Sequence, residues 1–165
     1  MGVAGSGKST FGAALAIALG ARFLDADDLH PASNLQKMTA GRPLDDDDRW
    51  PWLDAVAAWI ASRQAAGVAC VVACSALRRA YRDRLRAGVP DAPGFVYLDV
   101  PRNELARRMR ARRHFMPPSL LDSQLATLEA PNGDEDACTL DGTRAMDDNI
   151  ARVGAWLGTR AAPSG

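Results

Sequence analysis

Residues 2–9 read GVAGSGKS, and this stretch decides the fold because it fits the pattern G-x-x-x-x-G-K-S at every fixed position. The glycines let the backbone wrap closely around a phosphate, so that consecutive N–H groups point inward. A predicted helix over residues 7–19 follows directly, and its positive end favours an anion at the same place. The stretch therefore predicts a phosphate-binding loop at the start of a helix.

The same motif predicts the ligands of the loop. We expect Lys8 to reach the β- and γ-phosphates of ATP, and the Ser9 hydroxyl to ligate Mg²⁺. ATP and Mg²⁺ are therefore the predicted cofactors. The residues expected to bind the nucleotide are Gly2, Val3, Ala4, Gly5, Ser6, Gly7, Lys8, Ser9 and Thr10.

The remainder of the 165-residue chain predicts one α/β domain over residues 1–165. Short apolar runs alternate with helical patterns, which indicates a parallel sheet flanked by helices on both faces. Strands are expected at 21–24, 68–74, 95–100 and 137–140, with 68–74 the most buried. Helices are expected at 31–40, 51–66, 76–87, 104–112, 119–128 and in a last segment ending near 157.

A phosphate loop normally follows a buried strand, but Met1 stands where that strand should end. We therefore expect the first strand to be missing from this chain. A start site assigned too far downstream and the loss of a strand are both open explanations, and we favour the first.

Charge and composition exclude some function classes. The chain has 20 Lys plus Arg and 20 Asp plus Glu, so no net charge attracts nucleic acid or a membrane surface. No stretch approaches the roughly 20 apolar residues that a membrane helix needs. Cys70 and Cys74 would lie roughly 13 Å apart on one strand. That is too far for a disulfide, and free thiols predict a cytoplasmic protein.

Several absences and one acidic segment indicate a small-molecule kinase. No Asn-Lys-x-Asp guanine-binding motif is present, and the strand at 68–74 leads into Ser75 rather than into an acidic end. Small-molecule kinases instead often use acidic residues after the second strand. Here that place holds DADDLHP, at residues 25–31.

With these motifs in place, the chain resembles the gluconokinase family of small ATP-dependent sugar-acid kinases. The resemblance covers residues 2 to about 131. It rests on the phosphate loop, on 25–31, on NLQKMTAGRPL at 34–44 continuing to DRWPWL at 48–53, and on CSALRRAYRD at 74–83, with support from HFMP at 114–117 and LDSQ at 121–124.

The resemblance implies a P-loop kinase fold, transfer of a phosphoryl group from ATP to D-gluconate to give 6-phospho-D-gluconate, and a possible homodimer. It also implies a lid around residues 108–119. One departure lies there: the family usually has a glycine before the His-Phe-Met segment, whereas Arg112 and Arg113 run straight into His114. Another P-loop kinase, similar to shikimate or nucleotide kinases, and a non-catalytic nucleotide-binding module are alternatives.

The resemblance places Asp27 beside the attacking hydroxyl and the metal. A carboxylate there can accept the hydroxyl proton or orient a metal-bound water. The alternative is that Asp25, Asp27 and Asp28 cap the next helix. His30 is a candidate to hydrogen-bond a substrate hydroxyl, with a structural role beside Pro31 as its alternative.

Basic residues supply the candidates for binding the substrate's carboxylate. Lys37 and Arg49 are the first, and Arg49 is suited to a bidentate grip unless it pairs with the acidic run at 45–48. That run is expected to be a solvated helix start. Arg78 follows the strand at 68–74, where ligands of parallel sheets bind, and Arg82 lies one helical turn further on.

Arg108 and Arg112 belong to a dense basic stretch at residues 107–113. They are four residues apart, so they share a face of the predicted helix. A nucleic-acid patch is a weak interpretation because no aromatic residues interleave. Lid arginines that neutralise the transferring phosphate fit better. The predicted catalytic set is therefore Lys8, Asp27, Arg108 and Arg112.

Overall fold

The computed structural model describes residues 1–111 and 118–161. Helices and strands alternate along the chain, as the sequence predicts. In chain order they are α1 (Lys8–Leu19), β1 (Arg22–Asp25), a 3-10 helix (Ala26–Leu29), α2 (Ala32–Thr39), α3 (Asp46–Ala65), β2 (Cys70–Ala73), α4 (Arg79–Ala87), β3 (Phe95–Asp99), α5 (Arg102–Ala111), α6 (Pro118–Thr127), β4 (Ala137–Asp141) and α7 (Met146–Ala161).

The strands are parallel and carry helices on both faces, which confirms the predicted class. β1 pairs with β2, and β3 pairs with β4. Alternate residues of β3 enter opposite cores, because successive side chains of a strand point to opposite faces. Phe95 and Tyr97 pack with α3 and α4, whereas Val96 and Leu98 pack with α1 and α7.

The first two residues, Met1 and Gly2, join the two pairs of strands. The amino group of Met1 donates to Val96 O, and its carbonyl accepts from Leu98 N at 3.1 Å, as a strand paired with β3 would. On the other side Gly2 N donates to Ser75 O at 3.3 Å, just beyond β2. Below Met1 the facing edges of β2 and β3 border a cavity of about 490 Å³. We call this cavity the slot, and a strand before the phosphate loop would fill it.

The slot explains why β2 is less buried than we expected. Cys70, Val71 and Val72 are only half-buried, and full burial begins at Ala73. Their edge faces the cavity instead of a neighbouring strand. The thiols of Cys70, Cys74 and Cys138 are free, and burial raises the pKa of Cys74 to about 12. That thiol is therefore inert at neutral pH.

Two helix starts differ from the expected ones. α3 begins at Asp46 rather than at Pro51, because Asp45 caps it: Asp45 Oδ1 accepts from Asp48 N at 2.9 Å, and Asp48 Oδ2 accepts from Asp45 N at 3.1 Å. α4 begins at Arg79 rather than at Ala76, because Ala76 has a φ of 42°, outside the right-handed helical region. The expectation that the acidic run at 45–48 starts a helix is therefore confirmed, and the placement of that start at residue 51 is wrong.

Candidate active site

The backbone of residues 2–7 forms the predicted phosphate cradle. Gly2, Gly5 and Gly7 have φ angles of 149°, 81° and 91°, a region that side chains rarely allow. No side chain caps α1, because its N-cap residue is Gly7. The first amides of α1 are therefore open to an anion, which the helix dipole also favours. Ser6 Oγ is buried with no hydrogen-bond partner among the described residues.

A polar cleft of about 450 Å³ opens on one side of this loop. Ala4 and Lys8 contribute the wall that belongs to the loop and α1. The opposite walls come from the 3-10 helix, from the start of α3 and from the segment after β2. Of the predicted site residues, this cleft, which we call the acceptor cleft, brings together Ala4, Lys8, Asp27, His30, Arg49 and Arg78.

Asp27 lies just past the carboxyl end of β1, within the 3-10 helix. Its side chain is about half exposed (51 %) to the cleft, yet the surrounding walls crowd the carboxylate. Desolvation raises the pKa of Asp27, the charge of Lys8 partly opposes the rise, and Asp25 and Asp28 add to it. Asp25, by contrast, caps the 3-10 helix by accepting from Asp27 N at 3.2 Å. Of the two, only Asp27 has its carboxylate free for chemistry in the cleft.

His30 is held in a fixed orientation beside Asp27. Its ring stacks on Trp52 with centroids 4.2 Å apart, and its Nδ1 lies 3.3 Å from Asn34 Nδ2. Burial, with a contribution from the charge of Arg49, lowers the pKa of His30 to about 4. The ring is therefore neutral at pH 7, and Nδ1 accepts from the Asn34 amide. The proton then sits on Nε2, which is 3.9 Å from Asp27 Oδ1.

Arg49 and Arg78 flank the ring of Tyr81 in the same cleft, at 5.5 Å and 5.8 Å from its centroid. Arg78 is paired, because its Nη1 donates to Asp46 at 3.0 Å. Tyr81 also donates to Asp46, at 2.5 Å, and its pKa rises to about 12 through desolvation and this bond. Arg49 has no acidic partner among the described residues. The alternative that Arg49 pairs with the acidic run is wrong for the described residues.

Two predicted substrate residues do not reach the cleft. Lys37 Nζ donates to both carboxylate oxygens of Asp48, at 2.6 and 2.7 Å, and lies 3.6 Å from Asp45 Oδ2. Arg82 is completely buried, and its Nε and Nη2 each donate to Glu135 at 2.6 Å. Both cations therefore serve the structure.

The misplacement of Arg82 has a specific cause. The sequence pattern placed Arg78 and Arg82 one turn apart on the same helix, and we therefore expected their side chains to share a face of it. Arg78 instead lies before α4 in extended conformation, with φ −98° and ψ 152°. Helical spacing therefore does not relate the two side chains.

Arg108 lies on the other side of the phosphate loop, outside the acceptor cleft. It donates to Glu104 at 2.7 Å, to Ser6 O at 3.3 Å and to Gly142 O at 2.9 Å. It thus contacts the loop backbone itself. Arg112, like the rest of residues 112–117 in the predicted lid, lies outside the described residues.

Three residues of the cleft were not predicted from the sequence. Asp46 and Tyr81 hold Arg78, and Gln124 Oε1 accepts from Ala4 N of the loop at 2.6 Å. Gln124 lies in the LDSQ stretch that supports the family resemblance, so that stretch was the available signal. Asp46 was hidden within a run of four aspartates that looks uniform in sequence.

With this geometry established, comparisons with known proteins identify the family. A family model described as an AAA domain matches residues 1–131. The gluconokinase of Gluconobacter oxydans (strain 621H) is 47% identical over 149 residues, which cover 89% of this chain and 83% of that protein. The chain belongs to the gluconokinase family. P-loop kinases of this family use ATP.

Solved structures agree with this assignment. A gluconokinase from Sinorhizobium meliloti 1021 is 46% identical with a TM-score of 0.87, covering 98% of this chain and 90% of its own. An unliganded sugar kinase from Janibacter sp. HTCC2649 is 46% identical with a TM-score of 0.90, and the match covers 96% of this chain and 91% of that kinase. The gluconokinase-family fold therefore extends over nearly the whole chain. Within residues 1–111 and 118–161, no helix is both long and apolar enough to span a bilayer.

Proposed function

We propose that this protein is an ATP-dependent gluconokinase, which transfers the terminal phosphoryl group of ATP to the 6-hydroxyl of D-gluconate. The observation that carries the proposal is that Lys8 and Asp27 line one cleft. A phosphate held by the loop and an acceptor hydroxyl held by Asp27 therefore meet in the same space. The family membership reported above supports gluconate as the acceptor.

The residues of the cleft fit an in-line transfer. The acceptor oxygen forms a new bond to the γ-phosphorus, and the bond from that phosphorus to the β,γ-bridging oxygen breaks. Asp27 accepts the proton of the attacking hydroxyl, and its raised pKa brings it nearer to the range of an effective base. Lys8 and the amides of the loop neutralise charge on the phosphates.

Mg²⁺ fits the chemistry of two oxygen donors, one on α1 and one in the 3-10 helix. Magnesium in phosphate-transfer sites is bound by one or two protein oxygens together with substrate phosphates. Ser9, in the first turn of α1, and Asp27, which lines the acceptor cleft, are the residues that would hold the ion. Mg²⁺ bound there would supply positive charge that offsets the charge of the phosphates.

Arg49 is the residue that we assign to the gluconate carboxylate. It is half-buried against Tyr81, and its guanidinium carries no acidic partner among the described residues. Arg78 is already engaged by Asp46, so it offers less net charge to a ligand. The Nε2–H of His30 is a donor for an acceptor hydroxyl near Asp27. Arg108, and Arg112 of the lid, remain proposed partners of the transferring phosphate.

A panel of acceptors tests this function. ADP release is measured with gluconate, shikimate, glycerate and nucleoside monophosphates, and we expect turnover with gluconate. As a positional control, 6-deoxygluconate should inhibit without being phosphorylated. Turnover only with another acceptor would overturn the substrate assignment, and ATP binding without transfer to any acceptor would indicate a non-catalytic module. A homodimer and a cytoplasmic location stay predictions, checked by light scattering and by cell fractionation.

A further inference from the structure

The side chain of Gln124 is hydrogen-bonded to the phosphate loop. Its Oε1 accepts from Ala4 N at 2.6 Å, and among the described residues it is the one side chain that bonds to a backbone N–H of residues 2–7. Gln124 also lines the acceptor cleft, together with Ala4, Lys8 and Asp27. The Ala4 N–H is therefore taken by the protein itself, and the Gln124 amide lies where the acceptor cleft meets the loop.

The helix that carries Gln124 is packed against the same loop. Leu121 is buried, and Leu121 and Leu125 belong to one apolar cluster with Val3 of the loop. Residues 121, 124 and 125 have the spacing of one helix face, so Gln124 lies on the packed face of α6, where an apolar residue is usual. This packing and the bond to Ala4 N together fix the place of the Gln124 amide.

The bond to Ala4 N also fixes which way the amide points. A backbone N–H can only donate, so Oε1 must face it, and turning the amide over would set two donors against each other. Nε2 is left with two N–H groups and no hydrogen-bond partner among the described residues. It is not one of the fully buried atoms that lack a partner, since in the described part of the chain those are Ser6 Oγ and Asn149 Oδ1. Nε2 is therefore accessible to a ligand in the cleft.

The surroundings of Nε2 favour the moving phosphoryl group as its partner. Lys8 and Gln124 both line the cleft beside the loop, where the terminal phosphoryl group of a loop-bound ATP enters. During the transfer, negative charge is spread over the three equatorial oxygens of that group. The loop amides serve the phosphates that stay, so the moving group needs donors that reach further into the cleft. Lys8 is one such donor, and Nε2 of Gln124 is a second, neutral one.

We propose that Gln124 is a catalytic residue of the phosphoryl transfer, with its Nε2 donating a hydrogen bond to an equatorial oxygen of the moving group. The inference rests on the proposed function, because the loop must hold ATP and the acceptor must lie beside Asp27. The proton stays on Nε2, so Gln124 takes no part in the proton transfer to Asp27. A donor that is held in place before the reaction stabilises the charge of the transition state without a cost of reorganisation.

Two substitutions separate this role from mere support of the loop. Gln124→Glu keeps an oxygen for Ala4 N but replaces the donor by a second carboxylate oxygen, whereas Gln124→Met removes both groups. Turnover should fall roughly 10- to 100-fold in both variants, the scale of a hydrogen bond to a charged group. In Gln124→Met the KM values for ATP and gluconate should change less than about 3-fold. Gln124→Glu should keep the melting temperature of the wild type, because its bond to the loop is retained.

Binding of ADP with and without aluminium fluoride gives a readout that does not depend on turnover. In the presence of Mg²⁺ and gluconate, aluminium fluoride beside ADP imitates the phosphoryl group in transfer. Calorimetry should show that Gln124→Met binds ADP alone within about 3-fold of the wild-type affinity. It should bind the fluoride complex roughly 10-fold more weakly than the wild type, since only that complex presents acceptor atoms at the place of the moving group.

The matched control for the added charge is Ala126→Glu, at an exposed position of α6, which should keep wild-type turnover. Wild-type turnover in a folded Gln124→Glu would overturn the inference, because the bond to Ala4 N would then be all that Gln124 contributes. A rise in the KM for gluconate at unchanged kcat would overturn it too, since Gln124 would then bind the acceptor.

The wild-type protein decides if neither variant folds. The side-chain amide protons of Gln124 should shift downfield in NMR spectra when aluminium fluoride is added to the protein with ADP, Mg²⁺ and gluconate. Unchanged signals would overturn the inference. Absence of wild-type turnover with every acceptor is a different and recognisable result, in which the proposed function fails and the inference fails with it.

Discussion

The guanidinium of Arg82 and the carboxylate of Glu135 form two hydrogen bonds of 2.6 Å to each other in the interior of the protein. Both side chains are 1 % exposed. Arg82 also donates to the carbonyls of Ala76 and Glu129, at 3.2 and 3.0 Å. The hydrogen bonds of Arg82 therefore link α4 and the segment after β2 to the loop between α6 and β4, which contains Glu129 and Glu135. The hydrogen bonds from Arg82 and Arg86 lower the pKa of Glu135 to about 2, against the opposing effect of burial.

Arg82→Met should lower the free energy of unfolding by about 3–5 kcal/mol, because it leaves the Glu135 carboxylate buried without its main partner. Denaturant unfolding measures this loss. The double variant with Glu135→Leu should recover part of it, since both charges are then gone. In folded Arg82→Met the KM for gluconate should change less than about 3-fold. A larger rise in KM would indicate that Arg82 binds the substrate after all.

Asp27→Asn should reduce turnover roughly 100-fold or more, the usual scale for losing a general base, while ATP still binds. The amide keeps the shape of the side chain but cannot accept the hydroxyl proton. Asp28→Asn is the matched control, because Asp28 is the exposed neighbour and does not line the acceptor cleft. Steady-state turnover and nucleotide titration check both variants. Unchanged turnover in Asp27→Asn would remove this residue from the catalytic set.

Arg49→Met should raise the KM for gluconate roughly 10- to 100-fold, because a charge-assisted pair with the carboxylate is lost. The KM for ATP should stay nearly constant, since Arg49 lies in the acceptor cleft. Arg152→Met, at an exposed position of α7, is the control for general loss of positive charge. An equal rise in both KM values would show that Arg49 supports the cleft rather than the acceptor.

The stability of the protein should fall as the pH is lowered from 6.5 towards 4. His30 has a pKa near 6.5 in the unfolded chain and about 4 in the folded protein, so the unfolded state binds more protons in that window. The shift corresponds to at most about 3 kcal/mol. Thermal unfolding from pH 7 to 5 measures the loss, and His30→Gln should flatten the dependence. A parallel decline in both proteins would assign the effect to other groups.

A further prediction concerns the slot between β2 and β3. Six apolar residues added before Met1 should pair with both edges, raising the melting temperature and turnover, because the loop would then be anchored by a strand. An extension of six glycine and serine residues is the control of equal length. Equal melting temperature and turnover in both extended proteins and in the unextended protein would contradict this prediction.

Local rules predicted much of the fold and part of the site. The phosphate loop was predictable because its glycine positions and its helix follow from one short motif. Asp27, His30 and Arg78 lie together because each follows a parallel strand, and the carboxyl ends of such strands meet at one edge. Arg49 lines the cleft from the first turn of α3, although the sequence pattern placed the start of that helix at residue 51, five residues too late.

The remainder depended on tertiary contacts. Whether a basic side chain binds substrate or pairs internally is decided by which acidic residue the fold places beside it. Lys37 meets Asp48, and Arg82 meets Glu135, 53 residues away.

Lys37 retains an indirect importance through its pair with Asp48. Asn34, in the first turn of α2, also donates from its Nδ2 to Asp48 O at 2.8 Å, so α2 and the start of α3 are fastened at two points. The short loop between them carries Arg42, Pro43 and Leu44 along the rim of the acceptor cleft. The conformational entropy of these rim residues is lost when the chain folds and not when the sugar acid binds. The binding free energy of the sugar acid therefore does not include the cost of ordering them.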